Sequence, residues 1–139
     1  MMNHKLQENI AFCCDCKPED IILLPCSGGS NCGQITNHAA VSLDIEKVGR
    51  MYSLAGIAAH VDGMVESAKG AKRIVALDGC QVACAKKAVE HAGLAVTDWM
   101  CITEQGIGNN RGLLMDEEEI ELITQKTREL LAKPPAYGV

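Results

Sequence analysis

The chain has 139 residues, 47% of them apolar but only 3% aromatic, and a formal net charge of −5. That length suits one domain that buries a core without covalent staples, and the core must be built from Ala, Val, Ile, Leu and Met. Nucleic acid is not expected as a partner, because phosphate binding wants clustered Lys and Arg beside aromatic platforms. A membrane is not expected either, because no apolar run approaches the roughly 18 residues that span a bilayer.

Eight cysteines in so short a chain would spell a disulfide framework in a secreted protein. Residues 1–12 hold no apolar core of signal-peptide length, so a cytoplasmic location with reduced thiols is expected. In a reducing compartment, clustered cysteines point to metal binding or redox chemistry more than to crosslinks.

In chain order, residues 1–20 read as a polar tail carrying Cys13, Cys14 and Cys16, and residues 21–139 as a single α/β domain. Ile21 to Leu24 is a short apolar run followed by Pro, Ser and Gly, which predicts a buried strand. From Asn31 to about Lys47, Ile35, Ala39 and Leu43 recur every four residues and Gly49 follows, which predicts a helix and its stop. The unit repeats with Met51 to Leu54 as a second strand, and with Ile57, Val61, Met64, Val65 and Ala68 as one helical face closed by Gly70. A third strand, Arg73 to Leu77, runs into Asp78-Gly79-Cys80, after which Val82, Ala85, Val89 and Ala92 predict a helix ended by Gly93. Ala95 to about Ile102 is a fourth strand. Gly106 to Gly112 is a loop, and Asp116 with Glu119 resembles a capping box that opens a last helix.

Strands alternating with helices predict a three-layer, doubly wound domain of the Rossmann or flavodoxin type, with a parallel sheet of about four strands; if their order is 2-1-3-4, the ends of the first and third are neighbours. Open α/β sheets place ligands at the carboxyl ends of their strands. Cys26 falls just after the first strand and Cys80 just after the third, and Cys84 follows one helical turn later, so three sulfurs are expected to converge on a metal, zinc by preference. Helix N-termini at both loops would favour thiolates. Cys32 and His60 are the leading candidates for a fourth ligand and Cys101 is a third, with Cys14 and Cys16 an alternative pair that folds over the site or holds its own metal. Cys101 reads as a core residue, His38 and His91 as solvated helix residues, and Asp78 either as a turn residue or as an acceptor for backbone N–H groups around the thiols.

Leu77 to Lys87, with its Asp78-Gly79-Cys80 and Cys84, resembles the DGC-domain family, described as zinc-binding and named for that tripeptide. Pro25-Cys26-Ser27-Gly28-Gly29-Ser30-Asn31, Leu54-Ala55-Gly56-Ile57 and Val96-Thr97-Asp98 resemble its other motifs. The resemblance implies four zinc-binding cysteines, three of which map onto Cys26, Cys80 and Cys84. Many members carry a further cysteine before Leu-Ala-Gly, where this chain has Ser53, and this chain has an extra thiol at Cys32.

A strand, a cysteine in a Gly/Ser loop and a helix also build the C-x5-R phosphatase nucleophile, but Cys32 stands where that arginine would clamp the oxyanion. The Gly-rich loop fits neither a P-loop nor G-x-G-x-x-G. Storage, delivery or sensing of zinc is therefore the leading expectation. Thiol redox or sulfur transfer through Cys26 and Cys32 is an alternative, as is metal-dependent catalysis. Exposed thiols and a low net charge leave room for a homodimer.

Overall fold

The computed structural model describes residues 20–137; Cys13, Cys14 and Cys16 lie outside them. Four strands, β1 (Ile21–Pro25), β2 (Arg50–Met51), β3 (Arg73–Asp78) and β4 (Asp98–Cys101), form one sheet in the order β2-β1-β3-β4, every pair parallel. The expected parallel direction is met, and the order is the one that makes the ends of β1 and β3 neighbours. Five helices connect and follow them: α1 (Asn31–Ile45), α2 (Leu54–Ala58), α3 (Asp62–Lys69), α4 (Cys84–His91) and α5 (Glu117–Leu131). A 3-10 turn over Ile102–Gln105 follows β4 directly.

The period of two along the central strands sorts the core into two layers. Leu23, Val75 and Leu77 pack with Ile35, Ala39 and Leu43 of α1 and Ile123 of α5. Ile22, Leu24, Ile74 and Ala76 face the other way, onto Ile57, Ala68, Ala85 and Val89. Small residues at the helix contacts replace the missing aromatics and let helices sit close to the sheet. No helix among the described residues is long and apolar enough to cross a membrane.

Several expected boundaries move, each for a local reason. The second strand ends at Met51 rather than Leu54, because Ser53 accepts a hydrogen bond from the Gly56 amide and so caps a helix that Leu54 opens. The expected helix from Ile57 to Ala68 is two helices, since His60 adopts the left-handed region at φ 58° and Val61 is extended. The fourth strand is confined to Asp98–Cys101; the Thr97 hydroxyl takes the Ile74 amide at 2.9 Å and so closes the ladder from its side chain. Asp116 makes no side-chain cap, and its main-chain carbonyl receives the Glu119 amide, so the capping box does not form.

Helix α1 ends before Gly49, with Lys47 in the left-handed position at φ 60°, the Lys47 amide on Asp44 and the Val48 amide on Leu43. Gly49 serves a different need: a Cβ there would press on Ile21 and Leu23 of β1.

One ion pair ties the last helix to the sheet. Arg73 at the start of β3 donates twice to Asp98 of β4, at 2.7 and 3.0 Å, and to the carbonyls of Leu131, the last residue of α5, and of Lys133 beyond it. Asp98 is fully buried, so losing either partner would strand a charge and cost about 3–5 kcal/mol.

Candidate functional site

The helix leaving β1 lies on one face of the sheet and the helix leaving β3 on the other, so the carboxyl ends of these neighbouring strands form a switch point. The Cys26 amide continues the ladder by donating to the Leu77 carbonyl at 2.8 Å. Its sulfur receives the Gly79 amide at 3.4 Å and lies 3.7 Å from the Thr36 hydroxyl. The first cysteine is therefore held against the residue that precedes the second.

Each residue of the Asp-Gly-Cys run has a separate task. Asp78, almost fully buried, accepts the Ala85 amide at 2.7 Å, the Lys86 amide at 3.0 Å and the Trp99 indole N–H at 2.9 Å, which caps α4 from a distance. This is the acceptor role considered for it. Gly79 permits a backbone-to-backbone approach: a Cβ there would sit 2.7 Å from the Gly33 amide nitrogen and 2.9 Å from the Cys32 carbonyl carbon of α1. Cys80 then stands half-buried at the open edge.

The expected common helical face for Cys80 and Cys84 is not formed. Val82 is exposed, Ala83 takes the left-handed region at φ 57°, and α4 begins only at Cys84, so Cys80 belongs to the preceding turn. Cys84 is exposed. The first free amides of α4 are occupied by Asp78, which takes the place expected for a thiolate or other anion.

Cys32 lies in the core beneath the edge, fully buried, with its thiol directed to the carbonyls of Ile107 and Gly108 at 3.8 and 3.7 Å. Burial first, then the charges of Glu119, Cys101, Cys80 and Cys26, push its pKa above the ordinary thiol value. Cys32 is thus a protonated thiol within electrostatic reach of three others, and as it stands a poor ligand or nucleophile. Cys101 is buried, as expected, and contacts the Thr103 hydroxyl at 3.2 Å.

Asn31 reads from the sequence as a helix start, and its second role does not. Its side chain donates to the Gly108 carbonyl at 2.7 Å and accepts the Asn110 amide at 2.8 Å, clamping the Gly106–Gly112 loop over the start of α1. Its position directly after Gly-Gly-Ser was the available signal, because an amide at a helix start can bond backbone groups in both directions.

A cleft of about 700 Å3 opens beside Cys26, lined also by Ser27, Arg50, Tyr52, Ser53 and Leu54. Ser53, which stands where the resembled family often has cysteine, therefore shares a cleft with Cys26. His60 is exposed and turns to His91, its Nε2 lying 3.0 Å from His91 Nδ1. Among the described residues, no three His, Cys, Asp or Glu side chains are gathered closely enough to hold a metal ion as they stand.

The family model described as "DGC domain" matches residues 22–127. The chain belongs to the DGC-domain family. It is also similar to the "Anaerobic and virulence modulator AnvM" of Pseudomonas aeruginosa strain PAO1, with 29% identity over 116 residues, covering 82% of this chain and 88% of the relative. No solved structure matches. The matched span runs from the second residue of β1 through most of α5, and so includes Cys26, the Asp78-Gly79-Cys80 loop and Cys84.

Proposed function

We propose that this chain is a thiolate-based metal-binding protein of the reducing cytoplasm, taking a thiophilic divalent cation, zinc by preference, on Cys26, Cys80 and Cys84. The observation that carries the proposal is the Gly79 amide on the Cys26 sulfur, since it links the two strand ends and supplies a donor where negative charge on sulfur would develop. The donor chemistry fits: soft thiolates select such ions, and Cys80 and Cys84 are both open to solvent to some degree. The three side chains are not pre-assembled, so binding requires the Cys80–Ala83 turn to close toward Cys26. Once bound, the ion would tie that turn and the start of α4 to the end of β1. Membership of the DGC-domain family, whose motifs imply zinc-binding cysteines by resemblance, supports the reading, and the relative's name as a modulator is in keeping with sensing.

Elemental analysis of reduced protein, with thiol titration before and after chelation, tests it. About one zinc per chain is expected, shielding three thiols, and Cys80→Ser or Cys84→Ser lowers zinc content more than Cys101→Ser. Absence of zinc after reconstitution, or equal losses in all three variants, overturns it.

A further inference from the structure

Helices α2 and α4 pack together on one face of the sheet, and their carboxyl ends bring two histidines into contact. His60 Nε2 lies 3.0 Å from His91 Nδ1, the ring centroids are 5.1 Å apart, and the planes are tilted by 53°. Both rings are exposed, so water alone would satisfy them. The backbone makes the pairing more specific. The His60 amide bonds to the Ile57 carbonyl and the Val61 amide to the Gly56 carbonyl, which makes His60 the left-handed residue that closes α2. Glycine is the usual occupant of that position, and a side chain there is disfavoured. The equivalent residue of α4 is Gly93, at φ 80°.

Two imidazole nitrogens bound to one ion at 2.0–2.1 Å stand about 2.8–3.4 Å apart for angles between a right angle and the tetrahedral angle. The observed spacing of 3.0 Å already falls within that range. We infer that His60 and His91 form a second, imidazole-based site for a divalent transition cation, separate from the thiol edge. Imidazole nitrogens suit zinc, nickel and copper(II). Both rings bind neutral, His60 with its proton on Nδ1 and His91 with its proton on Nε2, so the hydrogen bond between them is exchanged for two metal bonds without net loss of a proton. A small rotation of the exposed rings turns both lone pairs to a common point. Among the described residues no third ligand group completes the pair, so water fills the remaining positions and the ion exchanges readily.

The test is a zinc chloride titration of the reduced full chain, followed in side-chain 1H–15N correlation spectra. The ring nitrogens of His60 and His91 shift together along one saturable curve, while those of exposed His38 do not follow it. His60→Asn, which tolerates the left-handed backbone, and His91→Gln each weaken that curve by about tenfold or more, since losing a ligand costs at least as much as losing one of its outer hydrogen-bond partners. Amide spectra check that both variants are folded. Cys80→Ser leaves the imidazole curve in place, so failure of the thiol site and failure of this one are read separately. Rings that do not respond, that saturate at different concentrations, or that keep their affinity in either variant overturn the inference.

Discussion

The amide of Gly79 lies 3.4 Å from the sulfur of Cys26, although 53 residues separate them in the chain. This contact depends on the absence of a side chain at Gly79, where the backbone of α1 leaves no space for one. Gly79→Ala is therefore expected to lower the stability to urea by about 1–3 kcal/mol, the usual cost of forcing an extra carbon into close packing. It also changes the rate at which Cys26 reacts with a thiol reagent. An unchanged unfolding midpoint together with an unchanged rate would remove Gly79 from the architecture of the site.

Asp78→Ala leaves two helix amides and an indole N–H without their acceptor. The expected destabilisation is about 3 kcal/mol, since bonds to a charged acceptor are each worth roughly 1.5–3 kcal/mol and water recovers part of the loss. Equilibrium unfolding measures it, and a loss below half that figure would mean that α4 starts well without this carboxylate.

Ser53→Cys places a thiol in the cleft that Cys26 lines. If the metal is held at that end, the variant binds zinc about tenfold or more tightly in competition with a chromogenic chelator. Ser53→Ala serves as the control, because both changes remove the cap on Gly56 and cost about 0.5–2 kcal/mol of stability. Equal zinc affinity in the two variants would detach position 53 from the metal.

The raised pKa of Cys32 makes stability depend on alkaline pH. Between its ordinary value of 9.0 and its raised value in the fold, the native chain holds more protons than the unfolded one, so stability falls as pH rises through that window. Below pH 9.0 the contribution is intact. In Cys32→Ala this part of the slope disappears from unfolding midpoints measured across the window, at the expense of a small core cavity. A slope identical to that of the parent would show that Cys32 titrates normally.

The parallel sheet was legible because Ile22 to Leu24 and Ile74 to Leu77 are apolar on both faces, a pattern that buried parallel strands share. The placement of Cys26 and Cys80 after their strands was legible too, but that the two ends are neighbours rests on the order β2-β1-β3-β4, which the apolar pattern leaves open. What failed was the assumption that apolar spacing continues a helix. Val82 and Val61 fit the period but stand exposed, because Ala83 and His60 take left-handed conformations that no side-chain pattern announces in residues other than glycine. The pairing of His60 with His91 was illegible for the same reason: it depends on where α2 stops. The burial of Cys32 was hidden because its neighbours Asn31 and Gly33 are also buried, under a loop whose composition reads as solvent-exposed.

The chain contains a single tryptophan, Trp99, and its indole N–H is spent on Asp78, two residues before Cys80. The Lys86 ammonium lies 5.0 Å from that ring and 5.5 Å from the ring of Tyr137, so the indole is bracketed by the loop, by α4 and by the end of the described chain. All indole emission thus originates at one fixed point beside the thiols. A shift of the Asp78–Cys84 segment changes the polarity around that point, and the protein carries its own label for following such movement in solution.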